Sequence, residues 1–190
     1  MDSEGNLSRL HYDRLVLTMG AVSAPPPLEG KELPGVFLLR WMADGFAIRK
    51  HIMDNAPRSV NIIGDGYIGV EMSEAFVRRG LKVTVVEHSE TLLRNMPPFF
   101  GEIIARRLRD NGVGVVNGVR IERILKKEPG LLVTGRPGFE SRSDMVLVAA
   151  GIRPMTDLDS AIPVKTGIKG AVCVNRRMET SIPGEDISPE

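Results

Sequence analysis

The chain is short of the residues that build most reactive centres. Among 190 residues there is one cysteine, Cys173, and there are three histidines. A single thiol excludes an internal disulfide. No Cys/His cluster has metal-ligand spacing, and His11 and His51 have no partner motif. No Gly-x-Ser-x-Gly is present, so the common serine-hydrolase elbow is excluded. An excess of charge of one sign is also missing. The net charge is +1, which favours neither nucleic acid nor an anionic membrane as partner. No apolar run approaches the roughly 18 residues of a membrane span. The first ten residues, MDSEGNLSRL, are polar and mixed in charge, unlike a signal peptide. With the lone thiol, this reads as a chain of the reducing cytoplasm. What remains is 42% hydrophobic and 26% charged, a globular composition long enough for one domain with an appendage.

The informative stretch is Val60–Glu87, VNIIGDGYIGVEMSEAFVRRGLKVTVVE. An apolar run, Val60–Ile63, meets Gly64-Asp65-Gly66-Tyr67-Ile68-Gly69. A helical stretch runs on to Gly80. A second β-rich run, Val83–Val86, ends in Glu87, 18 residues past Gly69. Strand, Gly-x-Gly-x-x-Gly turn, helix, strand and acid in this order are what a dinucleotide site needs. Gly64 lets the chain leave its strand tightly. Gly66 lets a pyrophosphate approach the backbone, where unpaired N–H groups sit at the positive end of the helix dipole. Gly69 lets the helix pack on the sheet. Glu87 accepts from the adenosine ribose hydroxyls and repels a 2′-phosphate, so NADH is expected in preference to NADPH. His88 and Arg94 would soften that preference, or stand by as surface charges. Asp65 is the odd member. A carboxylate beside a pyrophosphate is unfavourable unless it points to water or bonds a turn N–H, so it should weaken binding.

Around this unit the pattern predicts an α/β fold. Leu15–Leu17 reads as a short strand, Ala24-Pro25-Pro26-Pro27 as a stiff linker, Val36–Leu39 as a strand and Met42–Met53 as a helix with Phe46, Ile48 and Ile52 near one face. In the helix after the glycine turn, Ile68, Met72, Ala75 and Phe76 should face the sheet, and Gly80 should cap it. Pro97–Asp110 reads as another helix, with Pro98 in its first turn. Val113–Val116, Ile121–Leu125 and Leu131–Thr134 suggest an antiparallel meander over about 113 to 143. Asp144–Ala150 is a solid apolar run, as in a strand buried on both faces.

Five stretches resemble the flavin-dependent pyridine nucleotide–disulfide oxidoreductases, in particular the NADH oxidase, NADH peroxidase and coenzyme A disulfide reductase branch. They are Tyr12–Gly20 (YDRLVLTMG), Ile62–Glu74 (IIGDGYIGVEMSE), Val83–Glu87, Asp144–Pro154 (DMVLVAAGIRP) and Gly170–Thr180 (GAVCVNRRMET). The resemblance implies a Rossmann-like parallel sheet with flanking helices and a β-meander crossover. It also implies a division into a remnant of the FAD domain with a linker (1–34), the NAD(P)H-binding domain (35–155) and a segment returning to the FAD domain (156–190). Tyr67 would then lie beside the nicotinamide pocket, Glu71 would touch the carboxamide, and Gly151 would let the backbone approach the nicotinamide ribose. The bland readings are a packed aromatic, helix-dipole complementarity and a plain turn glycine. Arg153 reads as a structural contact and Cys173 as a buried, inert thiol.

The departures are as informative. The family's first strand with its FAD-binding glycine turn, its redox cysteine, its Gly-Asp flavin turn after Pro183-Gly184 and its dimerisation domain have no counterpart here. Met19 stands in the Ala-Thr-Gly turn, and Met155 where Asn often follows Arg-Pro. The expectation is therefore a piece of a flavoenzyme that docks NADH, with FAD and the dimer contacts supplied by the rest of the parent, and with no catalytic or metal-binding residue of its own. The alternative is a stand-alone NADH-binding module without redox activity. A third reading, an S-adenosylmethionine-dependent methyltransferase, is opposed by Tyr67-Ile68-Gly69 and by Gly151-Ile152-Arg153-Pro154.

Overall fold

The computed structural model describes residues 11–24, 27–64, 66–149, 151–156 and 163–182. They fall into two compact units, one from Ser23 to Ile152, the other made of the residues up to Val22 and from Arg153 onward. Two short strands, β1 (Ala21–Ser23) and β10 (Ile152–Pro154), pair where the chain enters and leaves the larger unit.

The larger unit runs β2 (Val36–Leu38), α1 (Met42–Asn55), β3 (Ser59–Ile63), α2 (Tyr67–Val77), β4 (Lys82–Val86), α3 (Pro98–Asp110), β5 (Gly114–Val116), β6 (Arg120–Lys126), β7 (Leu131–Arg136), β8 (Phe139–Ser143) and β9 (Met145–Val148). Five strands form a parallel sheet in the order β2-β9-β3-β4-β5. One face meets the helices through Ile48, Phe76, Ala105 and Leu108, against Val60, Ile62, Val83, Val85, Met145 and Leu147. The other meets the antiparallel β6-β7-β8 sheet, where Ile124, Leu131 and Val133 pack against Ile63, Val86, Val146 and Val148. Both faces are thus dry, which is why β9 is buried at every residue and reads as an unbroken apolar run. Each large side chain buried in this way contributes about 1.5–3 kcal/mol. Asn61, the polar residue inside β3, is met on one side by the meander: its Oδ1 accepts from Ser141 Oγ at 3.0 Å, while its buried Nδ2 has no hydrogen-bond partner among the described residues.

The starts of β3 and β9 are tied by one carboxylate. Asp144 Oδ2 accepts from the Arg58 and Ser59 N–H groups at 2.7 and 2.9 Å and from Ser59 Oγ at 3.0 Å. Helix α1 begins where Asp44 Oδ2 accepts from the N–H groups of Arg40 and Trp41, both at 2.8 Å. It ends at Ala56, left-handed at φ 45°, before Pro57.

Several sequence expectations are corrected. Val113–Val116 is not part of the meander: its strand β5 pairs in parallel with β4, and the meander begins only at Arg120, beyond Asn117 and the left-handed Gly118. Leu15–Leu17 is irregular, because a short apolar run needs a neighbouring strand and none pairs with it among the described residues. Phe46 is 61% exposed, since the core face of α1 passes through Ile48 and Ile52. In α2, Gly69, Ser73 and Phe76 are buried with Met72 packed beside them, while Ile68 is exposed. Cys173 is half-buried rather than buried. Ala150, Pro25 and Pro26 of the expected strand and linker, and the stretch from Pro183 to Glu190, lie outside the described residues.

Among its described residues, the smaller unit adds to its share of β1 and β10 a bridge between Thr166 and Val172 and a short 3-10 turn, Ile168–Gly170. Among its described residues Val16 is 76% and Ile168 88% exposed. No helix among the described residues is long and apolar enough to cross a membrane.

Candidate dinucleotide site

Parallel strands level with one another carry their connections to one edge. Ile63 pairs in register with both Val86 and Val148. The chain beyond each strand is then fastened to its neighbour. Gly64 N–H donates to Val86 O at 2.9 Å, Ala149 N–H to Ile63 O at 2.8 Å and Glu87 N–H to Val116 O at 2.9 Å. The glycine turn, Glu87 and the segment leading to Gly151 therefore follow adjacent strands at the carboxyl edge of the sheet, where open α/β sheets bind their ligands.

The three glycines of the turn differ in why they must be glycine. Gly64 has φ +101°, a left-handed conformation. Gly69 is buried, and a Cβ there would lie 2.3 Å from Gly64 O, so the helix rests on the turn itself. Gly66 has φ −57°, and a Cβ there would meet nothing within 4 Å. Among the described residues no atom beyond its chain neighbours requires a glycine at that position. The open space lies at the N-cap of α2, where unpaired N–H groups and the helix dipole favour an anion. The residues present thus fit a dinucleotide pyrophosphate. Farther along the helix, Val70 N–H donates to Gly66 O at 3.1 Å and Ser73 Oγ to Gly69 O at 2.7 Å, which fixes its first turns.

Of the other residues singled out by sequence, Tyr67 is 63% exposed at the first helical position. Ile68 and Glu71 are also exposed. Glu87 is only 5% exposed. One of its carboxylate oxygens, Oε1, accepts from Ser89 N–H at 2.9 Å and contacts His88 Nδ1. Gly151 is exposed and left-handed at φ +94°. Asp65 lies outside the described residues.

Sequence reasoning missed the support beneath Glu87. Val119 N–H donates to Glu87 O at 2.9 Å, Gly118 N–H to Ser89 O at 3.1 Å, and Asn117 Nδ2 to Glu90 O at 2.9 Å. The Asn117-Gly118 pair after an apolar run was the available signal, since such pairs mark tight turns. No group of three or more potential metal ligands occurs among the described residues.

Fold and edge together define an α/β unit of the Rossmann type. The family model for pyridine nucleotide-disulphide oxidoreductases matches residues 1–184, and the chain belongs to that family. It is 40% identical over 186 residues to an NADH oxidase of Methanocaldococcus jannaschii, covering 96% of this chain and 41% of that protein. It is 33% identical over 187 residues to a CoA-dependent NAD(P)H sulfur oxidoreductase of Pyrococcus furiosus, covering 94% and 40%. Among solved structures, an NAD-dependent persulfide reductase from A. fulgidus superposes with a TM-score of 0.81 at 32% identity, over 92% of this chain and 32% of that one. The water-forming NADH oxidase of Lactobacillus brevis bound to NADH superposes with a TM-score of 0.80 at 27% identity, over 90% and 37%. The chain spans about two fifths of the length of these curated relatives.

Proposed function

We propose that this chain is the NADH-docking part of a flavin-dependent oxidoreductase. The backbone of the Gly64–Gly69 turn holds the pyrophosphate through N–H groups at the start of α2, and Glu87 holds the adenosine ribose. Tyr67, Glu71 and Gly151 orient the nicotinamide. The coenzyme supplies a hydride for FAD, and the electrons pass on to a disulfide, peroxide, persulfide or oxygen. In this reading residues 35–155 form the NAD(P)H-binding domain, while 1–34 and 156–190 belong with a flavin domain and its linker. The observation that carries the reading is Gly66: a glycine whose missing side chain leaves space that no atom of the described residues beyond its chain neighbours fills, on the sheet edge that also bears Glu87. The names of the relatives support the reaction class. The apolar exposure of the smaller unit supports a covering flavin domain, and favours this reading over a stand-alone binding module.

Calorimetric titration of the chain with NADH, and separately with NADPH, tests the docking role. Saturable binding with NADH the tighter ligand is expected. Absence of binding by either would overturn it.

A further inference from the structure

Between helix α3 and the loop that follows β4 lies a groove of about 480 Å³. Leu92, Gly101 and Ala105, all buried, give it an apolar floor. A Cβ on Gly101 would lie 2.3 Å from Leu92 O, so helix and loop meet closely there. The rim carries charge of both signs: Glu90 on the loop, and Glu102, Arg106, Arg109 and Asp110 on α3. Among the described residues none of these charged groups is in an ion pair. The spacing would allow it. Glu102 and Arg106 stand at i and i+4, as do Arg106 and Asp110. At that spacing Glu74 closes on Arg78 in α2 and Lys50 on Asp54 in α1.

Asn117, which follows β5, also lines the groove. Its Nδ2 donates to Glu90 O at 2.9 Å, whereas its Oδ1 is buried and accepts from no donor among the described residues. A buried acceptor left in this state costs free energy, and a donor seated in the groove removes the cost. We infer that the groove binds a small extended zwitterion, with an ammonium group at one end and a carboxylate at the other. The inference is independent of the docking reading above, because neither the glycine turn nor Glu87 lines this groove.

The charges set the ligand's direction. At the loop end Glu90 lies beside the Asn117-Gly118 pair, with its Oε1 3.4 Å from where a Cβ on Gly118 would stand. Glu102 follows Gly101, which packs on Leu92. Two carboxylates and an open acceptor suit an ammonium group. Arg106 and Arg109 lie about 6 and 10 Å farther along the helix axis from Glu102, at about 1.5 Å per residue, and Asp110 follows them. Two guanidinium groups suit a carboxylate. An anion alone would face the acids of the loop end, and a cation alone would face the arginines, so the mixed lining selects a ligand that carries both charges. An extended tripeptide spans about 10 Å, which matches the separation.

The test is calorimetry of the whole chain with triglycine, with N-acetyltriglycine, which lacks the ammonium group, and with triglycine amide, which lacks the carboxylate. Saturable binding of triglycine is expected, with each blocked form weaker by about tenfold or more, as for the loss of a charge-assisted contact. Arg109→Gln should weaken triglycine about tenfold and leave triglycine amide unchanged. Glu102→Gln should weaken triglycine and leave N-acetyltriglycine unchanged. Both positions are exposed, so the fold should survive either change. Asn117→Leu removes the open acceptor and should weaken triglycine as well. No saturable binding of triglycine to the natural protein would overturn the inference. So would equal binding of the three probes, or triglycine binding that neither Arg109→Gln nor Glu102→Gln alters.

Discussion

The two units of the chain use apolar residues in opposite ways. From Ser23 to Ile152 they line both faces of a parallel sheet, and Ile62, Val85 and Leu147 have no measurable exposure. In the other unit, Tyr12, Leu15, Val16, Ile168, Val174 and Met178 stand open to solvent, and regular structure is almost lacking among the described residues. The difference shows which part of the sequence contains its own packing partners. A parallel sheet with a helix layer and a strand layer closes its own core. In the smaller unit the exposed apolar side chains find no such layer among the described residues.

The sharpest way to break this comparison is a matched pair of truncations. Leu147→Ala in β9 should destabilise the protein by about 2–5 kcal/mol, because the cavity opens in a close-packed core. Val174→Ala should stay within about 0.5 kcal/mol. Urea denaturation measures both, and equal losses would erase the distinction between the units. A smaller effect is expected at the amino edge of the sheet. Asp144→Ala removes the acceptor of three hydrogen bonds that join the starts of β3 and β9. A cost of about 1–3 kcal/mol is expected, read by the same method.

The smallest effect concerns pH. Burial draws the His51 pKa below the ordinary value of 6.5, against an opposing pull from Asp54. The ring also packs edge-on against Phe37, 5.0 Å between centroids. The unfolded chain then takes up this proton more readily than the folded one. The contribution is fully present above pH 6.5 and is lost as pH falls from there toward the folded value. A slight fall in Tm between pH 7.5 and 5.5 is expected, smaller in His51→Gln. An identical fall in the variant would remove His51 as its source.

Much of the larger unit was legible in the sequence, because its signals are local. Val60–Glu87 states strand, turn, helix, strand and acid in order, and the structure has each of them there. Met145–Val148 could be read as buried from its unbroken apolar run, and in the structure it has a strand on each side and is buried at every residue. Partnership was harder to read. Val113–Val116 looks like the meander strands that follow it, and only the three-dimensional register assigns it to β4. Leu15–Leu17 has strand composition but no partner strand among the described residues. Phe46 looked like core because a helix pattern alone does not fix which face turns inward. At the sheet edge, the places of Gly64, Gly66, Gly69 and Glu87 in the fold could be read from spacing. The contacts of Glu87 with His88 and Ser89, and the brace from Asn117 and Gly118, depend on how a loop folds back.

The central claim is that Gly66 is glycine for a ligand's sake, whereas Gly69 is glycine for the fold's. Gly66→Ala and Gly69→Ala should be compared by NADH titration and by urea denaturation. Gly66→Ala places its methyl in open space at an unstrained φ, so stability should stay within about 1 kcal/mol while NADH affinity falls at least about tenfold. Gly69→Ala forces a methyl to 2.3 Å from Gly64 O, so stability and binding should fall together. Unchanged NADH affinity in Gly66→Ala would contradict the claim that a dinucleotide occupies this turn.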